Sequence, residues 1–253
     1  MSVNQDKEEK KKQQEMKDMQ NKAKSYEGRW QRSMKAGNAG ETYSAEADFS
    51  KNLEEQEKLL KTMNPNSKEY AEAERKIDEQ KNTRWNMQVE QRTAYGDQKL
   101  KTEIAEKQAQ NQDLYKKMES AAQKGNVEAY EANRSQYEKN VHMQEQMGNA
   151  LKSGHSSYND TTAQQYRDKL NLDIDMRDKL AEKVQNSKNP SEKDLANLEK
   201  YKQAVKDDEI ATVKKQNQEK IESMRNRGED KEVIKTHEEQ NERSEQWVRD
   251  INK

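Results

Sequence analysis

Nowhere in this chain do more than two apolar residues stand side by side; Leu59-Leu60 and Val233-Ile234 are as long as such runs become. The isolated apolar residues instead step by three and four. One stretch reads Met16, Met19, Ala23, Tyr26, Trp30, Met34, and another reads Val127, Tyr130, Arg134, Tyr137, Val141, Gln144, Gly148, Leu151. A 3-4 alternation puts one residue per turn on a single narrow stripe of an α-helix, the pattern of a coiled-coil seam. Lys, Glu and Gln fill the other faces, which are expected to be solvated. The pattern predicts helices that share thin apolar seams and excludes a compact enzyme with a wide buried core.

A chain this polar is either helical or disordered, and glycine and proline separate the two. Of 253 residues, 28% are apolar and 38% charged, with 8 Gly and 2 Pro. Average usage of those two residues is roughly 12%, and disordered segments are usually rich in both. Ala, Glu, Lys, Gln, Arg, Met and Leu dominate instead, and their side chains lose little freedom on a helix. The net charge of −1 removes self-repulsion as a cause of disorder. The absence of cysteine excludes disulfides and thiolate metal sites and fits a reducing, cytoplasmic setting. Neither a membrane span of about 20 apolar residues nor a signal core of about 7–15 is expected.

Turn signals fall at Gly37-Asn38-Ala39-Gly40, Asn64-Pro65-Asn66-Ser67, Tyr95-Gly96-Asp97, Gly125-Asn126, Gly154-His155-Ser156-Ser157, Asn189-Pro190-Ser191-Glu192 and Gly228-Glu229-Asp230. Asn66 and Asn189 read as N-caps, with Glu69 and Glu192 three residues on. Gly125 suits the left-handed position that ends a helix, and Asn126 can cap the next. Tyr95-Gly96-Asp97 is the weakest break, so residues 68–124 read as one helix or two. Later stripes run Ala163, Tyr166, Leu170, Ile174, Ala181, Val184; then Leu195, Leu198, Val205, Val213, Ile221, Met224; then Ile234, His237, Asn241, Ser244, Val248, Ile251. Arg84, Gln91, Lys107 and Asn111 lie on or near seams, where polar residues set register at a cost in stability.

Short connections place consecutive helices antiparallel. The expected fold is all-α: elongated antiparallel helical hairpins, or a coiled-coil-like bundle, of about six to seven helices. A division into an N-terminal segment, 1–125, and a C-terminal segment, 126–253, follows from the turn spacing. The two Asn-Pro turns lie 125 residues apart, which fits either a duplication or the common logic of helix starts.

Chemistry-bearing constellations are sparse. His142, His155 and His237 do not pair at helical spacing. Asp173, Asp175 and Asp178 resemble the opening of a calcium loop, but no turn glycine follows, and a solvated acidic helix face is expected. His237 falls on the last seam and reads as a core or interface histidine. No nucleophile elbow or phosphate loop is present. No catalytic residue, cofactor or metal is therefore expected, and the chain reads as a non-enzymatic scaffold, spacer or adaptor that contacts other proteins or itself. Trp30, Trp85 and Trp247 are the candidate partner contacts, because tryptophan is enriched at interface hot spots. Trp85 leads, since with Val89 it lies off the line through Ile77 and Met87. The alternative is a nucleic-acid accessory protein. Residues 1–36 hold ten Lys/Arg against six Asp/Glu, with Tyr26 and Trp30 nearby. Nucleic acid is the disfavoured partner because both aromatics fall on a seam.

Overall fold

A computed structural model describes residues 3–154, 156, 158, 160 and 162–252. Among these the chain is all-helical, with eight helices and no strand: α1 Val3–Lys35, α2 Ala39–Leu60, α3 Lys68–Ala94, α4 Asp97–Gln123, α5 Val127–Ser153, α6 Thr162–Asn186, α7 Glu192–Asn226 and α8 Lys231–Ile251. No helix among the described residues is long and apolar enough to cross a membrane. The count exceeds the expected six to seven because residues 68–124 form two helices. Tyr95 is extended (φ −122°, ψ 105°). Its ring is buried beside Tyr43, with its hydroxyl 3.3 Å from Thr42 Oγ1.

The helix ends follow local chemistry. Gly125 sits at φ 62°, while Asn126 N–H donates to Ala121 O at 2.9 Å and Gly125 N–H to Ala122 O at 3.0 Å. This pair of bonds is the Schellman arrangement, which needs a left-handed residue that glycine adopts without a Cβ clash. Asn126 Oδ1 then accepts from Ala129 N, as expected of a cap. Gly37 with Asn38, and Gly228 with Asp230, repeat the device. At the two Asn-Pro turns the caps are Ser67 and Ser191 rather than Asn66 and Asn189, so each helix starts slightly later. A serine hydroxyl directly before the first helical residue reaches the third N–H beyond it, and the asparagines stand too early in the chain.

Two compact units emerge, and they do not divide at residue 125. Unit 1 is Met1–Glu106 with His142–Ser157, and unit 2 is Lys107–Val141 with Tyr158–Lys253. Both α4 and α5 contribute residues to each unit.

In unit 1, α1, α2 and α3 pair as antiparallel neighbours. Ser33 meets Thr42 beside the first turn while Lys12 reaches Thr62 O at the far end, and Glu46 meets Gln88. The core joins Met16, Ala23 and Trp30 to Ala45, Phe49, Leu53 and Leu60, and to Ala73, Ile77 and Met87. In unit 2, Lys183 meets Asp194 near the α6–α7 turn and Tyr166 O meets Thr212 farther along. Arg225 meets Glu238 near the α7–α8 turn, and Glu209 meets Asn252 at the other end. The core of unit 2 is Met118, Ala121, Ala122, Tyr130, Tyr137, Val141, Leu172, Met176, Leu180, Leu198 and Tyr201.

Candidate interaction surfaces and a buried ionic cluster

The three tryptophans part company. Trp30 is buried in the core of unit 1, and its Nε1–H donates to Gln91 Oε1 at 3.1 Å. It fills a seam within its own chain. A heptad-spaced ring on the seam of α1 belongs to the neighbouring helices. Tyr26 is half-buried, with the Arg29 guanidinium 5.7 Å from its ring centre. That guanidinium also bonds Asp48 at 2.6 Å and lies 3.0 Å from Glu41 Oε1. The aromatics of the basic first helix are therefore committed to packing, not displayed for base stacking.

Trp85 and Trp247 are 64% and 63% exposed. Each has an exposed aliphatic residue one helical turn on: Val89 on α3 and Ile251 on α8. Trp247 and Ile251 edge an open groove of about 440 Å³ in unit 2, lined also by Leu170, Val213, Val248 and Arg167.

One element of the acidic-face expectation is overturned. Asp175 and Asp178 are exposed, but Asp173 is completely buried. The buried line of α6 runs Ala163, Leu172, Asp173, Met176, Leu180, while Tyr166, Ala181 and Val184 flank the core half-buried. An aspartate can occupy that line because α5 brings compensating groups to it. Tyr130 O–H donates to Asp173 Oδ1 at 2.5 Å. Arg134 donates through Nε at 3.2 Å to both oxygens and through Nη2 at 2.9 Å to Oδ2.

Asp208 of α7 completes the cluster, although the seam assigned to that helix passed it over. Lys169 Nζ lies 2.7 Å from Asp208 Oδ1 and 2.6 Å from Glu138 Oε1. Arg134 lies 3.2 Å from Glu138 and 3.6 Å from Asp208 Oδ2. The Arg134 Nη2 that lies 2.9 Å from Asp173 Oδ2 is also 3.6 Å from Asp208 Oδ2, so the two carboxyls face one guanidinium nitrogen. Burial, and then the bond to Asp173, pushes the Asp208 carboxyl up to about 7. Burial would raise Asp173 too, but hydrogen bonds from Asp208, Arg134 and Tyr130 together with the Arg134 charge outweigh it and hold Asp173 below the usual carboxylate range. Tyr130 is raised by burial and by the Asp173 charge. Its ring meets that of Tyr201 edge-on at 5.6 Å, and the Tyr201 hydroxyl bonds Glu131.

A seam signal for this cluster did exist. Arg134 stands on an apolar stripe, and a cation there calls for a buried anion. Asp208 falls at helical spacing between Val205 and Thr212, all three buried. The cluster joins α5, α6 and α7 through Arg134, Lys169, Asp173 and Asp208. Gln91 and Asn111, expected as register-setting seam residues, are both buried. Asn111 accepts from Asn140 at 2.9 Å and donates to Gln165 at 2.6 Å.

Among the described residues no group of three or more His, Asp or Glu is arranged to hold a metal ion, and His155 lies outside them. His237 is half-buried on the seam of α8, with its Nδ1 buried and unbonded. Compared with protein-family models, curated proteins and solved structures, the chain matches none.

Proposed function

We propose that this chain is a non-enzymatic helical scaffold, spacer or adaptor that acts through protein–protein contact in a larger assembly. One observation carries the reading. Trp85 with Val89, and Trp247 with Ile251, are exposed apolar pairs on helices whose other exposed positions are mostly charged or amide side chains. Paired aromatic and aliphatic anchors surrounded by polar residues are the composition of an interface centre. In this reading the seam-bearing helices act as coiled-coil-like spacers that set the distance between contacts. A chain without cysteine suits the cytoplasm as its setting.

The test combines light scattering after size exclusion with affinity capture from the native host, using the full chain, Trp85→Ala and Trp247→Ala. The expected result is self-association, or capture of a defined partner, that one of the substitutions abolishes while helical dichroism is unchanged. A monomer whose captured set is the same for all three proteins overturns the proposal. A gel-shift titration at several salt concentrations addresses the alternative, for which counterion release demands a steep fall in affinity with salt.

A further inference from the structure

Three helices of unit 2 meet at one buried ionic cluster. Facing its centre are Tyr130, Arg134 and Glu138 from α5, Lys169 and Asp173 from α6, and Asp208 and Tyr201 from α7, with Glu131 behind Tyr201. Asp173 and Asp208 are 0% and 6% exposed as residues. Arg134 and Lys169 supply two positive charges. Asp173, Asp208 and Glu138 would supply three negative ones if all were ionised. A single retained proton makes this group neutral, with Glu138, 40% exposed, the one carboxylate of the three that solvent also screens.

The geometry also says where that proton sits. Asp208 Oδ1 is taken by Lys169, whereas Asp208 Oδ2 is buried and accepts no hydrogen bond. Two ionised carboxylates are both acceptors and cannot bond each other. Both oxygens of Asp173 already accept from Tyr130 and Arg134, so a bond between the carboxyls needs a hydrogen on Asp208, and its Oδ2 is the oxygen left to carry it.

We propose that one proton held between Asp208 and Asp173 latches α6 to α7 in unit 2, and that its release to solvent as pH rises loosens their packing. No other bond changes. The proton leaves the Asp208 carboxyl, the hydrogen bond to Asp173 is lost, and two carboxylates face each other across the seam. The sign follows from the raised Asp208 value of about 7, against about 3.9 for an unfolded aspartate. Between those limits the folded chain holds more protons than the unfolded one, so stability is lost as pH rises. The lowered Asp173 acts oppositely, and only at pH below about 4.

The test uses the full chain and Asp208→Asn, whose amide donates a hydrogen bond at every pH. Amide hydrogen exchange in α6 and α7, corrected for intrinsic rates, is followed from about pH 5 to about pH 8. The wild type is expected to lose protection, by up to about tenfold per pH unit, while Asp208→Asn stays flat. Carbon NMR of wild-type aspartate carboxyls is the companion measurement, valid even if the variant does not fold, and it should show one carboxyl titrating near neutrality. Equal pH profiles for the two proteins, or complete ionisation of all aspartates by about pH 5, overturns the latch.

Discussion

Unit 1 and unit 2 are made from the same kind of chain, yet they fill their interiors differently. The buried polar side chains of unit 1 are almost all neutral: Gln20, Ser33, Thr42, Ser44, Asn52, Gln56, Gln91 and Gln144. Its one buried carboxylate among the described residues, Glu103, is held by the N–H groups of Ala39 and Gly40 at the start of α2 and by Lys99 at 2.8 Å. Unit 2 buries Asp173 and Asp208, with Tyr130 and Tyr201, around Arg134 and Lys169. A thin seam can thus be completed by amides and hydroxyls, which carry no charge to desolvate. It can also be completed by a charge cluster, which holds only while every member is matched. The first solution is indifferent to protons near neutrality, and the second depends on one.

The largest effect expected from breaking that contrast is at Asp173. Asp173→Ala strands the Arg134 guanidinium and should cost unit 2 about 3–5 kcal/mol, read as an early urea transition confined to α5–α7 in helix-resolved exchange. An unchanged unit 2 would show the cluster to be ornamental. Leu53→Ala is the matching lesion in unit 1, where Leu53 is fully buried. A loss of about 3 kcal/mol is expected, independent of pH between about 5 and 8, because the damage is a cavity and not a charge. If that loss varies with pH, the neutral description of unit 1 is wrong.

Smaller effects sharpen the parallel between the units. Ser67 and Ser191 cap α3 and α7, each hydroxyl accepting at 3.1 Å from the N–H of Tyr70 or Asp194. Ser67→Ala and Ser191→Ala should each cost about 1 kcal/mol by denaturation, one in each unit. The smallest changes belong to Trp85→Ala and Trp247→Ala, expected within about 0.5 kcal/mol of wild type because both rings are exposed. A larger loss for either ring in a monomeric preparation would mean that it packs within the chain and is not reserved for a partner.

Much of the helical framework was legible without coordinates. On α5, the stripe read from spacing contains Tyr130, Tyr137, Val141, Gln144 and Leu151, all buried. Gly125 and Asn126 end one helix and begin another as their chemistry requires. Trp85 lies outward, as its departure from the line through Ile77 and Met87 implied. Legibility failed where the buried residue was of the wrong type. Following apolar letters along α6 led to Tyr166, Leu170 and Ile174, and past Asp173 on the adjacent line that is in fact innermost. On α7 the same habit kept Leu195, which is 43% exposed, and overlooked Tyr201 and Asp208.

Periodicity, glycine and capping side chains are properties of a few consecutive residues, and by themselves they determined that this chain is helical and close to where its helices stop. The placement of Asp173 against Arg134, 39 residues away in the chain, is not such a property. A lone aspartate belongs in water. It becomes an interior residue only when another helix delivers a guanidinium and a phenol to within hydrogen-bond reach, and the Asp208 carboxyl is raised by its burial and then by Asp173 as its neighbour. Those decisions belong to the tertiary structure, since the energy of a buried charge is set by the groups around it in space.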